Sequence, residues 1–170
     1  ATITVSEGAL GTAVTTAADF FSATFDAGAD GTQTSNVALQ VNANVSTGLI
    51  DLATGNEVTL TELNGNVLGV NSNGDTVFTI SLNAQTGQIT VTQDLPLQHQ
   101  EGTATDDILS LANGALSITA TITDQDGDTV TDTVDFGSQI RFADDSPSAT
   151  LSVDAATITV SEGALGTAVT

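Results

Sequence analysis

The last fifteen residues, Ala156 to Thr170, repeat Ala1 to Thr15 without a change, at an offset of 155. An identical run of that length constrains the fold more than any local propensity. It makes the chain one unit of a tandem array, cut just after the next unit has begun. An internal two-fold duplication is excluded, because nothing between residues 16 and 155 repeats. The expected organisation is one repeat unit over residues 1–147, then a linker and the first strand of the next unit over residues 148–170. Near-identical copies in series suit a property that scales with copy number, such as reach.

A chain of 170 residues holds one domain with a sizeable core. Its charge is lopsided: 21 carboxylates face a single basic side chain, Arg141, for a net charge of −20. It is nonetheless no disordered acidic tail, because Val, Ile, Leu and Phe keep a globular share and the carboxylates are scattered. Such a chain repels nucleic acid and anionic lipid, so neither is expected as a partner. It favours hard cations that take oxygen ligands, and calcium is the expected cofactor. Cysteine is absent, which removes disulfides and thiolate metal sites and leaves calcium as the staple for a secreted domain. No stretch is long and apolar enough to span a membrane and no signal peptide is present, so targeting information is expected elsewhere in a longer protein.

Thr, Ser, Asn, Gly and Asp separate short apolar alternations, a strand-and-turn rhythm without a helical stripe. Ile3 and Val5 mark a first strand and Phe20 to Phe25 a second. Asn36 to Val45 places Val37, Leu39, Val41, Ala43 and Val45 on one face. Val58 to Leu63 is followed by the turn residues Asn64 and Gly65. Thr76 to Asn83 and Gln88 to Gln93 form a hairpin around Ala84 to Gly87. Leu116 to Ile122, the turn Asp124 to Asp128, and Val130, Val134 and Phe136 give another, and Ile140 with Phe142 closes the sheet. Pro147 then breaks the pattern at Asp144-Asp145-Ser146-Pro147, the expected linker between units. About ten short strands of this kind predict an antiparallel β-sandwich, immunoglobulin- or cadherin-like, with a β-barrel as the alternative.

Asp124, Asp126 and Asp128 alternate around Gly127, so their oxygens can curl about one cation while the glycine lets the backbone turn tightly. The run departs from an EF-hand: Thr129 stands where that loop needs Gly, and Asp135 where it needs a bidentate Glu. The bland alternative is an Asp-Gly hairpin turn with solvated carboxylates. A second candidate joins Asp144 and Asp145 in the linker to Glu162 in the next unit, with Glu7 playing that part toward a preceding unit. Against it stands a charged linker that merely keeps units apart. Asp26 with Asp30, and Asn71, Asn73 and Asp75 around Gly74, read as Asx turns, and Asp106 with Asp107 as an exposed loop pair. His99, the only imidazole, lacks the partners of a zinc site or a general base and reads as a hydrogen-bonded loop residue. Arg141 is expected to pair with an acidic neighbour. No pair of carboxylates flanks a cleft signal and no Trp or Tyr offers a sugar platform, so an enzyme is not expected.

Several stretches, in order, resemble the large repeat unit of giant bacterial RTX adhesins. They are Thr76 to Asn83, Gly87 to Asp94, Pro96 to His99, Asp106 to Leu111, Ile122 to Thr129, and Phe142 to Pro147. The likeness covers residues 58–150 well and the first third less distinctly. It implies a surface protein of Gram-negative bacteria, secreted by a type I system. It also implies extender domains joined end to end as monomers, with calcium at or near the junctions, holding a ligand-binding tip away from the cell in adhesion and biofilm. Carried onto this chain, Asp124, Asp126, Asp128, Asp144, Asp145 and Glu162 are the implied calcium ligands. The alternative is a module that itself binds a glycan or a partner protein. Exact tandem copying disfavours that alternative, because spacers are copied in series more often than binding tips.

Overall fold

The computed structural model describes residues 1–100 and 107–152. Glu162, Asp106 and the repeated segment 156–170 lie outside the described residues. The described chain forms eleven strands and no α-helix. They are β1 (Ile3–Ser6), β2 (Ala13–Thr15), β3 (Thr32–Val41), β4 (Thr59–Leu63), β5 (Asn66–Val70), β6 (Thr76–Asn83), β7 (Gln88–Gln93), β8 (Ile108–Ser110), β9 (Leu116–Asp124), β10 (Thr129–Asp135) and β11 (Ile140–Ala143).

The alternations fold as their period dictates, because every second side chain of a strand faces the same layer. In β6 and β7, Phe78, Ile80, Ile89 and Val91 are buried, and the two strands pair from Phe78↔Gln93 to Asn83↔Gln88. Asn64 and Gly65 both take positive φ, 52° and 81°, and turn β4 into β5. Together these strands make a five-stranded sheet of order β2-β7-β6-β5-β4. Two three-stranded sheets, β10-β9-β3 and β1-β11-β8, complete the all-β sandwich. One hydrophobic core joins the layers. Its bridge is Phe78 of the large sheet against Phe142 of β11, ring centroids 4.9 Å apart.

Three features depart from the sequence reading. Phe20 to Phe25 is a loop. Asp19 takes a φ of 60°, and the N–H groups of Asp19 and Phe21 donate to the carbonyls of Thr86 and Gly87 at 2.9 and 3.3 Å, which ties the segment to the β6–β7 turn and not to a ladder. Phe20 and Phe21 still pack against the core, with Phe20 edge-on to Phe136 at 5.9 Å. The strand expected over Asn36 to Val45 begins earlier and ends at Val41, because Asn42 turns the chain: its side chain accepts from Asn44 N–H and its carbonyl from Val45 N–H.

The third departure has the largest consequence. Among the described residues all strand pairings are antiparallel except one: β1 runs parallel to β11, with Ile3↔Ile140 and Ser6↔Ala143. The chain therefore enters beside Gln139 and Ile140, the leading end, and departs toward Asp144 beside Ser6 and Glu7, the trailing end.

Candidate metal centre

The parallel register builds the first cluster. Ser6 lies opposite Ala143, so the next residue on each strand, Glu7 and Asp144, emerge side by side at the trailing end. Ser6 Oγ accepts from Gly8 N–H at 3.3 Å and opens a single 3-10 turn over Glu7–Ala9. That turn directs the Glu7 carboxylate inward. Its Oε1 accepts from Leu97 N–H at 2.6 Å and from Gln93 Nε2 at 3.2 Å. His99 Nε2 approaches the same oxygen at 3.4 Å, and His99 Nδ1 lies 3.9 Å from Asp107 Oδ2. Ligand atoms of Glu7, His99 and Asp144 all fall within 4.8 Å of one another. The Asp145 carboxylate packs on Gly8, where an added Cβ would come within 3.2 Å of its Cγ and Oδ1.

This is a polar cluster with orphaned atoms. The His99 side chain is 7% exposed and that of Glu7 11%, yet neither imidazole nitrogen has a hydrogen-bond partner. The Oε1 of Gln93, a residue 1% exposed, is also buried without a partner. Buried polar atoms are nearly always satisfied, so these atoms mark a cluster built to take a further polar or ionic partner. The grouped donors include two carboxylates, Glu7 and Asp144, with the Asp145 carboxylate on the adjoining Gly8, and carboxylate oxygens suit calcium. His99 suits the rim of such a site and not the ion, which prefers oxygen.

The second cluster crowns the β9–β10 hairpin. Asp124 Oδ1 accepts from Gly127 N–H at 3.0 Å and Asp128 N–H at 2.9 Å, and Gly127 takes a φ of 97°. The turn expected from sequence is thus held by the first carboxylate itself. Asp124 and Asp126 approach so closely that a hydrogen bond between their side chains lowers the Asp124 pKa and raises that of Asp126. Asp30 is the third member, held there by Gln125, whose backbone N–H donates to Gly31 O at 3.2 Å and whose side chain donates to Thr32 O at 3.3 Å. Asp128 offers its backbone N–H to the turn, and its carboxylate is not one of the three grouped at this site.

The structure therefore divides the seven sequence candidates. Asp124 and Asp126 group with Asp30. Glu7 groups with Asp144 of its own unit, with Asp145 beside it. Asp26 accepts from Gly28 N–H and Asn71 from the N–H groups of Asn73 and Asp75, the Asx turns expected. Arg141 has no carboxylate at ion-pair distance among the described residues, contrary to expectation. It is exposed on β11, where Ser110 and Thr4 face it across the ladders.

Sequence reading missed Asp51. This carboxylate is fully buried. Its Oδ2 accepts from Thr54 N–H at 2.8 Å and Asn71 Nδ2 at 3.4 Å, while Oδ1 has no partner. Only the local Asp51-Leu52-Ala53-Thr54-Gly55 turn pattern hinted at it. His99 was likewise read as an ordinary loop residue, since nothing local marks it as enclosed by carboxylates.

No curated protein and no solved structure matches the chain. A family model described as a domain of unknown function, DUF5801, matches residues 2–137, which takes in Glu7, His99 and the hairpin cluster and stops short of the linker carboxylates. Spanning most of the chain, that match places it: the protein belongs to the DUF5801 family.

Proposed function

We propose that this domain is a structural extender of a large, repetitive bacterial surface adhesin, stiffened by calcium, that holds a binding region away from the cell. The observation that carries the reading is the parallel β1–β11 pair. It brings the chain in at one end of the unit and out at the other, the geometry an end-to-end array needs, and it sets the Glu7, Asp144 and Asp145 carboxylates at the point of exit. The exact repeat of residues 1–15 supplies the array. The sandwich is read as immunoglobulin- or cadherin-like on the same grounds.

The mechanism is electrostatic. Three carboxylates where the linker departs repel one another, and the single basic residue lies elsewhere on β11. Calcium held by Glu7, Asp144 and Asp145 supplies the charge that cancels this repulsion, and it fixes the linker's direction against the 3-10 turn. Because the site exists fully only in the folded unit, the same ion stabilises the fold by mass action. A chain this acidic and free of cysteine stays loose where calcium is scarce and folds outside the cell.

Two units in series test this by small-angle scattering and thermal melting, in EDTA and in millimolar calcium. The expected result is a bent ensemble that becomes a rod while the melting temperature rises. Identical scattering and melting in both buffers would sink the proposal.

A further inference from the structure

The face of the β10-β9-β3 sheet that supplies Leu116 and Leu39 to the core runs on past the core. There Val37, Ile118, Ile122, Val130 and Val134 share one side by register, and the loop over Phe20 to Phe25 arches above them. Between loop and sheet lies a groove of about 430 Å³. Two of its wall residues on β10, Val130 and Val134, are 67% and 63% exposed. Ala1 lines the same groove, so it opens at the leading end, where the chain arrives.

We propose that this groove receives the linker of the preceding unit, with Leu151 as the anchor. The inference rests on the array reading. The repeat specifies what arrives before position 1 of a following unit: it is what precedes Ala156, namely Leu151-Ser152-Val153-Asp154-Ala155. Leu151 is 95% exposed, the most exposed large apolar side chain among the described residues. A linker needs no such residue, and this one lies five positions before Ala156. Five extended residues span about 17 Å, enough to set Leu151 anywhere in a groove whose mouth is at residue 1. Within its own unit Leu151 follows β11 and does not line the groove, so a single unit leaves both the anchor and the groove uncovered. Apolar surfaces this exposed mark interaction sites. The neighbouring unit supplies the only partner whose position the sequence fixes. The junction then has two parts: carboxylates where one unit ends and an apolar socket where the next begins.

The chain has no Trp or Tyr, so Leu151→Trp introduces a single fluorescent reporter. It is placed in the first linker of a protein of two consecutive units at the 155-residue period. Its emission is expected at shorter wavelength than in the 170-residue chain, at every protein concentration and in EDTA as well as calcium. Val134→Asp in the second unit, a change at an exposed position, is expected to return it to the single-unit value. Leu151→Ser is expected to lower the melting temperature of the two-unit protein by about 4–8 °C, the transfer of one leucine, and to leave the single unit unchanged. Equal emission from the two proteins would overturn the proposal, as would a blue shift that grows with concentration or survives Val134→Asp. Failure of calcium to change the scattering, with the blue shift intact, would refute the stiffening mechanism and leave the socket standing.

Discussion

Glu7 accepts two buried hydrogen bonds and is a proposed calcium ligand, two roles that substitution can separate. In Glu7→Ala the N–H of Leu97 and the amide of Gln93, both on residues 1% exposed, lose their shared acceptor. Each buried donor left unsatisfied costs about 1–3 kcal/mol. Water entering the space of the missing side chain recovers part, which leaves about 2–4 kcal/mol and a fall of about 6–12 °C in melting temperature for a domain of this size. Glu7→Gln keeps an acceptor at the same place and exchanges a charged hydrogen bond for a neutral one, about 1 kcal/mol. Calcium at a hundred times its Kd adds about 2.7 kcal/mol to the parent protein, or about 8 °C. Melts of the three proteins in EDTA and in calcium therefore form a grid. Glu7→Ala is expected to be destabilised in both buffers. Glu7→Gln is expected to melt near the parent in EDTA and to lose the calcium increment. An alanine variant that melts within about 2 °C of the parent in EDTA would refute the hydrogen-bond accounting. A glutamine variant that keeps the full calcium increment would remove Glu7 from the ion.

Three further outcomes are expected. Gly69→Ala places a Cβ 2.3 Å from Phe78 Cε1, so the ring that bridges the layers must move; chemical denaturation should show a loss of about 1–3 kcal/mol. Glu57 accepts from Ser46 Oγ and from the N–H groups of Thr47 and Gly48, the serine bond foremost in holding its pKa below the ordinary glutamate value. A depressed folded pKa gives stability that is present above the unfolded value and lost as pH falls through the folded one, so the stability gap between parent and Glu57→Gln should be constant above the ordinary glutamate range and shrink below it. Stretched between its two ends in a single-molecule force experiment, the unit should yield at higher force in calcium than in EDTA, and Glu7→Gln should abolish the difference.

The elements legible in the sequence are those set by neighbours along the chain. Period-two alternation located β6, β7 and β9, and Asn64-Gly65 and Ala84 to Gly87 located the β4–β5 and β6–β7 turns, because both depend on local backbone preference. The Asp124 turn was legible for the same reason. Phe20 to Phe25 was not: its apolar content signals burial, and burial in a loop needs partners from the distant β6–β7 turn. Nor was the parallel pairing, which joins the two ends of the unit and leaves no local trace. From that pairing follow the meeting of Glu7 with Asp144 and the enclosure of His99. Asp51 escaped because a buried and an exposed Asp look alike until the fold places Asn71 beside one of them.

The direction of β1 and β11 also sets how the unit bears load. Tension on an array pulls the leading end of β1 one way and the trailing end of β11 the other. Two parallel strands drawn apart in that sense slide along their common axis, so their hydrogen bonds are strained together and not one at a time. Strands drawn from the same end would peel open bond by bond, at lower force. If the unit is stretched as the proposed array requires, the load falls on four residue pairs in register, Ile3↔Ile140 to Ser6↔Ala143. The carboxylates of Glu7 and Asp144 sit one residue beyond its last pair, one from each strand. A cation shared between them would be a cross-link that adds to the ladder's resistance to sliding. Under the proposed function, one site would therefore both stiffen the linker and lock this pair, because the parallel register brings Glu7 and Asp144 together.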